Sequence, residues 1–495
     1  MRITVLVSFA LLLAFAFGGC RKNNISTDPD ALLNFSRDTV FFDTVFATIG
    51  STTQLVKIYN NNNQAVVISS VDLVGGDNSN FQLNLDGFPG VSFADVEIAS
   101  GDSLWMFVEV TVDPSQQNLP FVVEDRVRFV TNGSEQFVEL VAWGQDAHFH
   151  GGPGQLSVLP CSEVWNPDKP HVVYGIVAVD EGCSLTINAG TQVHCHARSG
   201  LYIYRGVLNV QGEYGNEVCF QGDRLEPAYS NIPGQWGIEL AFAFETTFGV
   251  EEATVARGGI WLFECTGSTI DYAIIKNGNI GIQVDTTGAS TADALRLTNT
   301  RIENMGVLGI LGQGTNISGW NNLVTNCGQT CAAFTIGGRY QFAYSTFANY
   351  WSEGSRQAPA FILNNYYVDV NNTLQRRSIQ DTWFHNCIFW GNNATLSNFN
   401  EFVVDMVDDE LQDYRFEFCA VDTDQNVADG LRYNGITNGI SPPFVNSGAN
   451  DFHLSANATS IWNGGFTVAE SFLPPLDLDQ AGRSFPGRKG CYEGQ

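Results

Sequence analysis

The sequence predicts an all-β chain in two parts, a β-sandwich followed by a parallel β-helix, and three observations carry that prediction. A phrase of one hydrophobic residue, any residue and an asparagine recurs as Ile275-Lys276-Asn277, Ile302-Glu303-Asn304, Val324-Thr325-Asn326, Phe347-Ala348-Asn349 and Phe384-His385-Asn386; its first four asparagines lie 27, 22 and 23 residues apart. Self-similarity at that period marks a stacked repeat rather than a single globular core. The segments between are short, rich in β-branched and aromatic residues, cornered by Gly and Asn, and free of 3.6-residue periodicity, which selects β-coils over helical repeats. Upstream, from Asn34 to about Gln145, short alternating strands such as Leu55-Val56-Lys57-Ile58-Tyr59 and Trp105-Met106-Phe107-Val108-Glu109-Val110 are divided by turn clusters such as Asn60-Asn61-Asn62-Asn63. That pattern is a sandwich of roughly immunoglobulin size. Asparagines stacked at one corner of successive coils are expected to form an amide ladder that satisfies turn backbone.

The chain opens with Met1-Arg2, an apolar run from Val5 to Phe17, and Gly18-Gly19-Cys20. A charged start, an apolar stretch of this length and small residues before a cleavage point make residues 1–19 a signal segment rather than a fold element. Small residues directly before Cys resemble a bacterial lipobox, with Phe17 where Leu is commoner. The resemblance implies that Cys20 is lipidated, that its acyl chains are the membrane attachment, and that the protein resides in the cell envelope as an outer-membrane lipoprotein, on the periplasmic or the surface face. Residues 20–33 are polar and read as a tether, 34–150 as the sandwich, 155–450 as the β-helix and 451–495 as a C-terminal cap that covers strand edges otherwise open to aggregation.

Within those bounds the run VKIYNNNNQAVVISSVDLVGG, then FQLNLDG, then GDSLWMFVEVTVDP resembles the immunoglobulin-like domains found beside β-helices in Gram-negative surface lipoproteins. LTINAGTQVHC, GLYIYRGVLNVQG and VCFQG resemble the opening coils of right-handed β-helix proteins of the pectate-lyase-like superfold, and DFHLSANATSIWNGG resembles their terminal segment. The resemblance implies a spacer or binding role for the first part, and for the second a fold that hosts polysaccharide lyases and glycoside hydrolases.

Charge narrows the partners. Asp and Glu number 52 against 24 Lys and Arg, a net −28, and the Lys residues are few and scattered. Such a field repels nucleic acid and anionic head groups, and it disfavours polyanionic glycans unless a divalent cation intervenes. Setting Cys20 aside, an even number of cysteines remains in an exported chain. Residues about one coil apart stack, so Cys161 with Cys183, Cys195 with Cys219, and more loosely Cys387 with Cys419 are candidate disulfides; buried, reduced thiols are the alternative.

Catalysis would need an acid-base set. The region NYWSEGSRQAPAFILNNYY offers Glu353 and Arg356 as acid-base candidates, with Tyr350, Trp351, Tyr366 and Tyr367 to stack on sugar rings; the alternative is that the aromatics pack and Arg356 pairs with Glu353. Asp223, Arg224 and Glu226 read as an ion-pair network, and Gly234-Gln235-Trp236-Gly237 as a coil entry whose Trp plugs the core. No cofactor is required, but Asp422, Asp424, Asn426 and Asp429 resemble a calcium loop in spacing while lacking the bidentate Glu. His148 with His150 and His194 with His196 are spaced to share a strand face, with no third ligand visible. The function these features support is a membrane-anchored binding or structural module for glycan or a surface protein; the alternative is a carbohydrate-active enzyme, lyase or hydrolase, working in a groove of the β-helix.

Overall fold

A computed structural model describes residues 24–493 apart from 47–49, 113–120, 247–248, 288–290, 370, 393–399, 408–411, 466–473 and 485–486. Cys20 lies outside the described residues. The chain divides into two compact units, residues 1–146 and 147–495.

The first unit is built from two five-stranded sheets. Alternation in Gln54–Tyr59 and Ser103–Val110 sends Val56, Ile58, Met106, Val108 and Val110 into one apolar core with Val66, Ile68, Val71, Phe129, Val138 and Leu140 of the other sheet. The four-asparagine turn is held from inside. Asn60 is fully buried, and its amide donates to the carbonyls of Gln64, Ile98 and Ala99 at 2.9 to 3.1 Å. The segment expected to be a free tether is partly folded: Ser26 N–H donates to Ala65 O, and Ala31 and Leu33 join the core. Those two apolar side chains and hydrogen bonds such as Leu33 N–H to Gln136 Oε1 dock it.

The second unit starts earlier than the expected residue 155. His148–Val158 is one strand paired in parallel with His171–Val179, His148 facing His171, so the histidine-rich stretch assigned to the sandwich belongs to the first coil. From there each strand pairs in parallel with the strand one coil on, in three ladders. The first face runs through Gly200–Tyr204, Gly258–Phe263, Ile280–Asp285, Leu308–Trp320, Thr330–Ala343, Phe361–Asn364 and Phe402–Asp405. The second runs through Ser184–Asn188, Val207–Gln211, Ser268–Asp271, Leu295–Thr298, the later halves of the two long strands, Ile379–His385 and Gln412–Glu417. The third runs through Gln192–Cys195, Val218–Gly222, Ala273–Lys276, Arg301–Met305, Leu323–Cys327, Thr346–Asn349 and Ile388–Gly391. The second unit is a parallel β-helix.

Its interior is a column of like residues in register. Phe342, Phe384, Phe416 and Tyr433 stack coil on coil, with centroids 5.9, 4.8 and 5.7 Å apart and planes within about 10°. Leu308–Trp320 passes from the first face to the second without a break because Gly314, at φ 57°, supplies the left-handed corner.

The asparagine phrase marks two corners rather than one. Asn277, Asn304 and Asn326 follow third-face strands in register, all with φ between 52° and 65°, and Asn304 Nδ2 donates to Asn277 Oδ1 at 2.7 Å. The ladder ends there. Asn326 turns its amide to Asn450 of the C-terminal segment, and Asn349 bonds the backbone N–H and C=O of Cys327. Asn386 follows a second-face strand and shares its corner with Asn299 and Asn321, also left-handed, where Asn321 Nδ2 donates to Asn299 Oδ1 at 3.0 Å. Replacing Asn326 by Ala is expected to cost about 1–3 kcal/mol, from the lost bond and the left-handed backbone, with Gly recovering part of it. Urea unfolding checks this, and an Ala variant as stable as the parent contradicts it.

The C-terminal segment runs back along the outside of the third face. Phe452, Leu478, Cys491 and Tyr492 cover Leu323 and Ala348, while Leu454 and Trp462 cover Ile388, Trp390 and Ala420. Buried Arg483 donates to Asn321 Oδ1, and Gly490 N–H donates to Asn386 O, so the segment also bonds the second asparagine corner.

Cys161 and Cys183 form a disulfide with Cα atoms 4.7 Å apart, as coil stacking predicts. The other two expected pairings are not linked. Gln192 faces Cys219 and Cys195 faces Gly222, so Cys195 and Cys219 are three residues out of register and remain buried thiols. Cys387 and Cys419 do stack, since Ile388 faces Ala420, but stay reduced at a dry corner where burial holds the Cys387 thiol far above its ordinary pKa.

Candidate binding groove

The residue types proposed for chemistry in the Asn349–Tyr367 region are mostly used for structure. Arg356 is 2% exposed and its guanidinium makes a two-pronged pair with Glu401, 1% exposed, at 2.7 Å from Nη1 to Oε2 and 2.5 Å from Nη2 to Oε1. It also donates to Ala358 O, and Glu401 accepts Ala360 N–H. Arg356 is thus paired with Glu401 rather than with Glu353, which lies exposed on the loop beside Ser352. Gly391 is required by the same pair, since a Cβ there would sit 2.1 Å from a Glu401 oxygen. Tyr350 packs on Phe444 and Phe452, and Trp351 lies half-buried two residues past the third-face strand Thr346–Asn349. Tyr366 donates to Asp405 Oδ2 at 2.5 Å from an antiparallel hairpin, Tyr366–Val368 with Leu374–Arg376, and Tyr367 of the same hairpin lines a groove.

That groove, about 970 Å³, follows the corner between the first and second faces. Its walls include Phe263, Asp285, Gln313, Arg339, Tyr367 and Asp381. Period-2 alternation puts Leu201, Ile203, Ile260 and Leu262 inside the coil, and so puts Tyr202, Tyr204, Trp261 and Phe263 outside in two adjacent columns. Tyr202 and Trp261 have centroids 4.7 Å apart, Tyr204 and Phe263 6.2 Å, and Arg257 lies over Trp261 at 5.5 Å. All four rings are half-buried.

Asp285, one coil on from Phe263, stands at the end of this strip. Trp261 Nε1 and Gln283 Nε2 both donate to its Oδ2 at 2.8 Å, whereas its buried Oδ1 has no hydrogen-bond partner among the described residues. Burial holds the Asp285 carboxyl above its ordinary pKa, outweighing those two donors and the nearby Arg257. A half-desolvated carboxyl beside an aromatic strip and a polar groove is the kind of site where ligands are held. Farther along, Arg339 is tied to Asp293 at 2.6 Å, and Gln341 donates to Asp381 at 2.8 Å, so the far wall is a fixed array of polar atoms. Sequence reasoning missed Asp285, Trp261 and Arg339. The available signal was the alternating Tyr202, Tyr204 and Trp261, Phe263 on strands whose inward positions are aliphatic.

The remaining candidates separate. Arg224 and Glu226 form the expected ion pair at 2.9 Å, and Trp236 is buried in the core as a plug. Asp223 instead accepts from His196 Nδ1 at 2.6 Å, and the His196 ring stacks on Tyr174. His194 is buried, with Nδ1 against Gly222 O, so the two histidines do not share ligand geometry. The Asp223 bond raises the His196 pKa against a smaller opposing effect of burial. A raised histidine pKa adds stability that is complete below the unfolded value near 6.5 and is lost as pH climbs through the folded value. The cost of His196→Gln in urea midpoint is therefore expected to be largest at about pH 5.5 and to shrink by about pH 9; a pH-independent cost contradicts the pair. In the loop expected to hold calcium, Asn426 and Asp429 spend side-chain oxygens on the backbone N–H groups of Ala428 and Leu431, as turn residues do. Burial and the neighbouring Glu401 and Asp424 raise Asp422. Among the described residues the gathering of metal-type donors is elsewhere, at His148, Asp168 and His171.

No family model matches the chain, and no curated protein does. Among solved structures it is similar to XylC in complex with xylose, at 9% identity over 82% of this chain and 78% of that one, with TM-score 0.30. It is also similar to the catalytic unit of a GH87 alpha-1,3-glucanase from Streptomyces thermodiastaticus, at 9% identity over 78% and 66%, TM-score 0.21. A third is the Dettilon tailspike protein, at 12% identity over 60% and 62%, TM-score 0.25. The chain spans just under two thirds of the latter two, and at such scores none of the three carries an argument about this chain's function.

Proposed function

We propose that the second unit is a glycan-binding module and that the corner groove, entered along the aromatic strip, is where a sugar chain lies. The observation that carries this reading is the strip of Tyr202, Tyr204, Trp261 and Phe263 that leads, through Phe263 and through Asp285, whose Oδ1 has no hydrogen-bond partner among the described residues, into a groove lined by side-chain amides, carboxylates and guanidinium groups. Ring faces match the apolar faces of pyranoses, and fixed polar atoms match hydroxyls. Net charge and the mixed signs of Arg339, Asp285 and Asp381 favour neutral over polyanionic glycans. In this reading the first unit is an immunoglobulin-like spacer and lipidated Cys20 the anchor in the cell envelope; among the described residues no helix is long and apolar enough to cross a membrane.

The test is affinity electrophoresis of the chain from Arg21 onward through gels holding neutral or acidic polysaccharides, with product analysis on the same mixtures. Retardation by a neutral glycan without new ends supports the module. New reducing or unsaturated ends would replace it with the enzyme reading, and no retardation in any gel would remove the glycan.

A further inference from the structure

The first coil of the β-helix gathers three imidazoles and a carboxylate that neither the groove nor the fold explains. Parallel pairing sets His148 beside His171, with ring centroids 4.9 Å apart. One donor atom each from His148, Asp168 and His171 lies within 4.8 Å of the others, and His148 Nε2 is 3.0 Å from Asp168 Oδ2. His150 stands behind this group, its Nε2 in a hydrogen bond of 2.9 Å with His171 Nδ1. Donor atoms on a tetrahedral zinc ion stand about 3.3 Å apart, given bonds of about 2.0–2.2 Å. The His148 and Asp168 donors are already near that spacing.

Its outer contacts aim the lone pairs inward. His171 Nε2 lies 3.0 Å from Asn166 O, which holds the proton on Nε2 and leaves Nδ1 as an acceptor facing His150. Trp165 closes the back, stacking on His150 at 4.3 Å and on His171 at 4.8 Å. The front is open: the His148 and Asp168 side chains are 41% and 52% exposed.

We infer that His148, His171 and Asp168, backed by His150, form a site for a first-row divalent ion of the zinc type, which staples the strand opening the β-helix to the loop before its partner. Nitrogen donors exclude calcium and magnesium as the intended ion. The ion would lock the same coil that the Cys161 to Cys183 disulfide closes.

The test titrates the full chain, stripped by chelator, with ZnCl₂ and separately with CoCl₂, reading heat of binding, visible absorption of Co²⁺ and the thermal unfolding midpoint. Expected are one ion per chain, the visible bands of a four-coordinate Co²⁺ site and a raised midpoint. Affinity should fall at least about tenfold in His148→Gln and in Asp168→Asn, partly exposed positions that leave the fold intact by circular dichroism. The His196→Gln variant should bind as the parent does. Absence of stoichiometric uptake, equal uptake of Ca²⁺, or affinity unchanged in both site variants would overturn the inference.

Discussion

Replacing Glu401 by Gln lowers the stability of the second unit by about 3–5 kcal/mol, the range for leaving one charge of a buried pair without its partner. Arg356 sits 2% exposed on the crossing from the third face to the first, with a guanidinium that fits the Glu401 carboxylate in two bonds. The amide of Gln supplies one acceptor in place of two and turns an N–H donor toward a cation. Urea unfolding measures the loss. The double variant Arg356→Met, Glu401→Gln should lose clearly less than the two single losses combined, because no charge is then stranded. Strictly additive losses would show that the pair is not coupled in the folded protein.

Trp261→Ala is expected to weaken binding of the retained glycan by about 2 kcal/mol or more, over tenfold in Kd, with the fold unchanged. Its ring packs at a tilt against Tyr202, and its Nε1 donates to Asp285. Removing it takes away a ring face and frees the carboxyl to rotate. Trp261→Phe keeps the face but not the donor and should lose less, so the two variants separate stacking from carboxyl positioning. Asp285→Asn keeps size and hydrogen bonding while fixing the group neutral; a small effect would indicate that the carboxyl already acts as an uncharged partner when ligand is bound.

The architecture was legible because a solenoid repeats its own chemistry: Asn277, Asn304 and Asn326 recur at the coil length and share a left-handed corner. The same phrase misled at Asn386, since two corners of one coil impose the same backbone demand and sequence alone does not say which corner is meant. Cys161 and Cys183 were legible for the same reason, while Cys195 and Cys219 have similar spacing but a register offset that only strand pairing reveals. The candidate site was hardly legible. Tyr367 was named and lines the groove, but Asp285 meets Trp261 from a strand 24 residues away and Arg356 meets Glu401 across 45. Loops of unequal length between coils break the period, so which side chains converge depends on three-dimensional register. The His148 pair lacked a visible third ligand because His171 follows a loop and reaches it only through parallel pairing.

The measurement closest to the central claim is affinity electrophoresis of the parent beside Trp261→Ala and Tyr350→Phe in the same neutral-glycan gels. Tyr350 is packed under the C-terminal segment, away from the groove lining, and serves as the control. The account predicts retardation of the parent and of Tyr350→Phe, and free migration of Trp261→Ala. Equal retardation of all three would contradict it and place glycan binding, where it occurs, on another surface.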